Sequence, residues 1–176
     1  MPSWTNPCGY GYGEREPDGL ALLVIGIWRV DVNRMPTMKT MMTPFPYSID
    51  VMAPILRAQS LMDEHRIRHL AVRDKGELCG VISDRDINLA IGLGSEFMDQ
   101  EQILVKSAYT PAPYTVDVDV SVDIVLKEMV ARHIGSALVT REGKLVGIFT
   151  ATDACSKFRD LLFKVYGPIP TGNDAA

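Results

Sequence analysis

The sequence predicts an α+β fold of α/β-like character: two βαββα units, each a small mixed sheet with helices packed on it. Two observations carry this. The chain repeats itself at an offset of 67 residues, and each copy switches between strand-like and helix-like spacing in the same order. Residues 43–86 align with 110–153 without a gap, and 13 of those 44 positions are identical. TPFPYSIDV lies over TPAPYTVDV, and GVISDRD lies over GIFTATD. A unit of roughly 50 to 60 residues buries too little surface to stand alone, so the copies are expected to pack on each other.

Each copy opens with a short β-rich segment after a proline, Tyr47 to Val51 and Tyr114 to Val118. Helices follow. Pro54 suits the first turn of one, with Ile55, Ala58, Leu61 and Met62 as its apolar stripe. Ser121 is the expected N-cap of the other, with Val122, Val125, Leu126, Met129 and Val130 as the stripe. HLAVR and SALVT read as strands, joined through tight turns at Gly76 and Gly143 to LCGVIS and LVGIFT. A second helix then begins after each hydroxyl, over about 84–91 and about 151–165.

Composition excludes some functions. At 176 residues, 47% hydrophobic, 23% charged and with a net charge of −4, the chain is ordinary for a soluble globular protein. It has no block of Lys and Arg to hold DNA, RNA or a lipid headgroup, so neither nucleic acid nor membrane is expected as a partner. Three scattered cysteines, Cys8, Cys79 and Cys155, form no CxxC pair and fit a reducing, cytoplasmic setting. Cys79 alternates with core residues and reads as a small buried apolar side chain. His65 and His69 lack a third ligand in register, and no metal or cofactor is expected. There is no Ser, His and Asp set, no HExxH and no P-loop, so the chain is not expected to be an enzyme.

Residues 1–37 read as a flexible or loosely packed extension and 168–176 as a disordered tail. GYGYGEREPDG has neither the strand nor the helix that a dinucleotide-binding loop needs around it. The apolar run from Leu20 to Trp28 is too short to span a bilayer and lacks the cationic flank of a signal peptide. It reads as an added strand or helix, or as sequence upstream of a start at Met35, Met38 or Met41.

The repeated phrases point to chemistry. Ser83 and Thr150 stand where a strand hands over to a helix, so free amides and the helix dipole converge near each hydroxyl. A phosphate fits there, with Asp84 and Arg85 following in the first copy and Ala151 and Thr152 in the second. Asp86 and Asp153 lie one turn on, where a carboxylate can accept both ribose hydroxyls. Gly80 and Gly147 read as places of close backbone approach. The competing reading is a helix cap, since Ser-x-x-Asp and Thr-x-x-Asp resemble a capping box. Both readings can hold together.

The tandem repeat, with TPxPYxxDV opening each copy and a glycine, a hydroxyl and an aspartate closing it, resembles a pair of cystathionine β-synthase (CBS) domains, a Bateman module. The resemblance covers about residues 38 to 165 and implies domains at 38–97 and 98–167 related by a pseudo-twofold. It implies a dimer that binds AMP, ADP, ATP or S-adenosylmethionine in clefts between the repeats. By the same resemblance, Asp86 shares a site with Thr115, Val116, Ser136 and Ala137. Asp153 shares one with Ser48, Ile49, His69 and Leu70, and strand backbone reads the adenine edge. Arg68 would serve a phosphate at the Asp86 site, and its counterpart is Gly135. With Thr152 opposite Arg85, the Asp86 cleft is expected to prefer the more phosphorylated ligand. The implied function is regulatory. The alternatives are an interaction module with empty clefts that docks on an enzyme or transporter, and a fragment of a larger protein such as an inosine monophosphate dehydrogenase or chloride channel.

Overall fold

The computed structural model describes residues 35–94 and 99–167. The readings made for 1–34 and 168–176, including Cys8 and the Leu20 to Trp28 run, lie outside the described residues.

The first repeat contains β2 (Ser48–Asp50), α2 (Ile55–His65), β3 (His69–Asp74), β4 (Glu77–Ser83) and α3 (Asp84–Gly94). The second contains β6 (Thr115–Asp117), α4 (Val122–Ala131), β7 (Ser136–Arg141), β8 (Lys144–Thr150) and α5 (Ala151–Tyr166). Short lead-ins precede each: α1 (Met38–Met41) with β1 (Thr43–Pro44), and two 3₁₀ turns with β5 (Thr110–Pro111). Within each repeat the first strand runs parallel to the next, and the hairpin that follows is antiparallel. The sheets are mixed, as the pattern of elements predicts.

The lead-ins exchange. β1 pairs with β8 of the second repeat, and β5 pairs with β4 of the first, so the strand orders are β1-β8-β7-β6 and β2-β3-β4-β5. Met38, fully buried, belongs to the core of the second repeat, while Ile103 and Val105 belong to that of the first. Residues 36 and 37 are tied down as well: the Pro36 carbonyl accepts from the Val122 amide, and Thr37 bridges to Ser121. Each repeat therefore finishes the other's sheet and core.

Helix stripes and strand periods place the rest. Ile55, Ala58 and Met62 of α2 and Val122, Val125 and Met129 of α4 are buried against their sheets. Val130, expected in the second stripe, is 72% exposed, because the apolar face has turned away from the sheet by the helix's last turn. Ser121 occupies the N-cap with extended backbone, but its hydroxyl makes no capping bond to the helix. The central strands β3 and β7 are buried on both faces at Leu70, Ala71, Val72 and at Ala137, Leu138, Val139. One face meets the repeat's own helices. The other supplies Ala71, Leu138 and Ile148 to a third cluster, which joins sheet to sheet. Burial of these apolar faces at roughly 25 cal/mol per Å² is what holds the two repeats as one unit.

The two hairpins turn on Lys75–Gly76 and Glu142–Gly143, all four at positive φ, the signature of a tight turn matched to strand twist. Positive φ at residues other than glycine falls at three repeat-related pairs: Phe45 and Ala112, Arg66 and His133, Lys75 and Glu142. Gly80 and Gly147 are buried where backbone passes close, but the neighbour is the exchanged lead-in. A Cβ on Gly80 would overlap the Tyr109 ring and stand 2.7 Å from the Thr110 carbonyl, and one on Gly147 would overlap Met42. Cys79 is half-buried and directs its thiol at the Val72 carbonyl, 3.4 Å away, with burial pushing its pKa up.

Candidate functional site

At the head of α5, Thr150 and Asp153 form a reciprocal capping box. The Thr150 hydroxyl accepts from the Asp153 amide at 3.2 Å, and Asp153 Oδ2 accepts from the Thr150 amide at 2.8 Å and hydroxyl at 2.7 Å. Ser83 and Asp86 repeat the arrangement at the head of α3, at 3.3, 2.9 and 2.6 Å. The shorter Asp does what Glu does in the usual motif. The next amides are bonded too, Asp84 to the Arg68 carbonyl and Ala151 to the Gly135 carbonyl, both at 3.0 Å. The hydroxyls and amides that the sequence offers to a phosphate are thus largely engaged in holding the helix heads. Each aspartate keeps a second oxygen. Asp153 Oδ1 accepts from Thr43 at 3.2 Å across the repeats, and Asp86 Oδ1 has no partner among the described residues.

These heads open into two clefts between the repeats. One, of about 720 Å³, is lined by Ser83, Asp84, Arg85 and Asp86 from the first repeat and by Tyr114, Arg132, His133 and Ser136 from the second. The other, of about 270 Å³, brings Thr150, Thr152 and Asp153 together with Tyr47, Arg66, Arg68 and His69. Of the expected cross-repeat partners, Ser136 and His69 line the clefts. Ile49, Leu70, Val116 and Ala137 send their side chains into the cores, which leaves only their backbone for a ligand. Tyr47 and Tyr114, just before Ser48 and Thr115, line the walls instead. Ala151 is exposed at the head of α5.

The walls are braced by ring contacts and unequally charged. Tyr47 stacks on His65 with ring centroids 3.9 Å apart, while the equivalent Tyr114 lies under the Arg132 guanidinium at 4.9 Å. Arg132 is held in turn by Glu128 at 2.8 Å. Burial, and then Glu128, raise the Tyr114 hydroxyl pKa, with Arg132 opposing. Four of the left-handed residues stand on cleft walls, Phe45 and Arg66 on one side and Ala112 and His133 on the other. Backbone strain of this kind is kept where the surroundings over-determine it, and it gathers at functional sites. Arg85 belongs to the Asp86 cleft and Thr152 to the Asp153 cleft.

The family model for the CBS domain matches residues 38–92 and 105–160. The chain belongs to the CBS domain family. Its two CBS repeats are similar to a CBS domain pair of the protein MJ0100 in complex with 5′-methylthioadenosine and S-adenosyl-L-methionine, at 26% identity and TM-score 0.62 over 70% of this chain and 99% of that one. They share the fold of CBSX2 in complex with AMP, at 23% identity and TM-score 0.58 over 71% and 97%. The fold is shared too with a Vibrio cholerae protein described as an acetoin utilization protein (AcuB), at 24% identity and TM-score 0.65 over 78% of this chain and all of that one. A curated relative, inosine-5′-monophosphate dehydrogenase of Thermoplasma acidophilum, is 30% identical over 126 residues. This chain spans 24% of its length. Among the described residues, no helix is long and apolar enough to cross a membrane, and no cluster of His, Cys, Asp and Glu fits a metal ion.

Proposed function

We propose that this CBS pair is a regulatory module that binds adenosine ligands in the two clefts between its repeats and signals through a change of shape in a homodimer. One observation carries the reading: Asp86 and Asp153 are fixed by matched capping boxes at the mouths of two inter-repeat clefts, each with a carboxylate oxygen turned from the helix head. A ribose presents two adjacent hydroxyls to such an oxygen. The adenosine ligands of MJ0100, whose CBS pair aligns over 99% of its own chain with 70% of this one, support the choice of ligand.

Charge and size divide the ligands. The larger cleft has Arg68, Arg85 and Arg132 about Asp86, and the smaller has Arg66 and Arg68 about Asp153. We assign ATP or ADP to the Asp86 cleft and AMP or S-adenosylmethionine to the Asp153 cleft. No bond-making step is needed. The dimer is proposed on the apolar side chains that α3 and α5 leave exposed, among them Leu93, Phe158, Phe163 and Tyr166. The same surface favours the second reading, an interaction module that docks on an enzyme or transporter.

A thermal-shift screen of the full chain against AMP, ADP, ATP and S-adenosylmethionine separates the two. A ligand at a hundred times its dissociation constant adds about 2.7 kcal/mol of stability. Asp86→Ala should cut the ATP response to that of the Asp153 cleft alone, and Asp153→Ala should remove the AMP response. No shift with any ligand favours the interaction module, and equal losses for both ligands in both variants rule out the division of labour.

A further inference from the structure

Arg68 and His69 line both clefts. The repeat sets Gly135 and Ser136 opposite them, so the second copy has no matching arginine. Gly135 lies against His69 instead: a Cβ there would stand 3.4 Å from His69 Nε2. Two anion-receptive clefts thus meet at one guanidinium. Its backbone is pinned, because the Arg68 carbonyl accepts the Asp84 amide at 3.0 Å. Its side chain is exposed and makes no hydrogen bond or ion pair with any described residue. A planar guanidinium on a fixed pivot can swing to either cleft, but it can grip a phosphate bidentately on one side only at a time.

We propose that Arg68 is shared between the two clefts, so that a phosphate-bearing ligand in one withdraws the cation from the other and weakens phosphate binding there. The inference rests on the adenosine-ligand reading and adds a coupling between the sites. Its direction follows from the remaining cations. The Asp86 cleft has Arg85 and Arg132 besides, and so fills first; the Asp153 cleft is left with Arg66. Coupling through equilibrium binding is reciprocal, so the antagonism acts both ways. His69 sits in the same gap within the field of both carboxylates, so a charge brought into either cleft is felt at the junction.

Isothermal titration of the full chain with ATP and with adenosine tests this. In the native protein, ATP should bind the Asp153 cleft about tenfold more weakly once the Asp86 cleft is filled than it does in Asp86→Ala, a ratio within the usual range of coupling between sites. Adenosine, with no phosphate, should bind both clefts independently. Arg68→Gln, a substitution at an exposed side chain, should weaken ATP and abolish the coupling. Gly135→Arg, which puts a second cation beside His69 at the junction, should abolish the coupling. Equal ATP affinity at the Asp153 cleft with its neighbour full or empty overturns the sharing and leaves the ligand reading intact. A folded protein that binds neither compound overturns both.

Discussion

Thr43 donates its hydroxyl to Asp153 Oδ1 at 3.2 Å, from a strand of one lead-in to a helix head of the other repeat. Its repeat partner Thr110 makes no such bond to Asp86, although both threonines hold equivalent places at the edge of the opposite sheet. The two halves are equal in fold and unequal at the carboxylates. Thr43→Val should therefore cost about 0.5 to 1.5 kcal/mol, the ordinary net worth of one hydrogen bond, towards the low end because the pair is exposed. Thr110→Val should cost less. Urea denaturation of both variants measures the difference, and equal losses would show that the bond contributes nothing.

The exchanged lead-ins should be sensitive to a single methyl group. On Gly80 that group would meet the Tyr109 ring and, at 2.7 Å, the Thr110 carbonyl, which is backbone and cannot step aside. On Gly147 it would meet Met42, a flexible thioether. Gly80→Ala should lose about 3 kcal/mol and Gly147→Ala about 1, the upper and lower ends of the overpacking range. Trimming Met42 to Ala in the Gly147→Ala background should recover part of its loss in a double-mutant cycle. A Gly147→Ala variant as damaged as Gly80→Ala would contradict the assignment.

The hairpin turns offer the opposite sign. Lys75 and Glu142 take φ near 50°, in a region that disfavours long side chains and tolerates Asn, and each is followed by a glycine also at positive φ. Lys75→Asn and Glu142→Asn should each stabilise the protein by about 0.5 to 1 kcal/mol, a fraction of the left-handed penalty. Neither residue lines a cleft, so ligand affinity should not move. Thermal unfolding of the two variants and their combination, which should add, is the check.

Much of this was legible in the chain because one offset fixed two copies at once. Hydrophobic spacing placed α2 to α5 and the hairpins to within a few residues, since each buries a periodic face. The phrases ending in Asp86 and Asp153 marked the helix heads and, through them, the clefts. The exchange of lead-ins was hidden, because a two-residue strand such as Thr43–Pro44 carries no period and its partner lies over a hundred residues away. The close approach at Gly80 and Gly147 was legible and the neighbour was not, because a glycine signals space without naming what enters it. Ile49, Leu70, Val116 and Ala137, whose backbone the resemblance sets at the sites, turn their side chains to the cores. The aromatic wall at Tyr47 and Tyr114 lay one or two residues away in the repeated PY.

His69 contributes a pH dependence near neutrality. Burial lowers its pKa below the ordinary 6.5 of a histidine, outweighing the lift from the Asp86 and Asp153 carboxylates. The folded state therefore holds the proton less well than the unfolded chain, and by linkage stability rises with pH wherever the unfolded state binds more protons. His69's share of stability is complete above about pH 6.5 and declines as the pH falls from there toward its lower folded value. His69→Gln should flatten the profile of unfolding free energy between pH 7.5 and 5.5 relative to the native protein. A phosphate in either cleft brings negative charge to the same ring and favours its protonated form, so phosphate-bearing ligands should bind more tightly at pH 6 than at pH 8 and take up a proton as they do. Titrations in buffers of different ionisation heat count that proton. Uptake that persists unchanged in His69→Gln would assign it to another group.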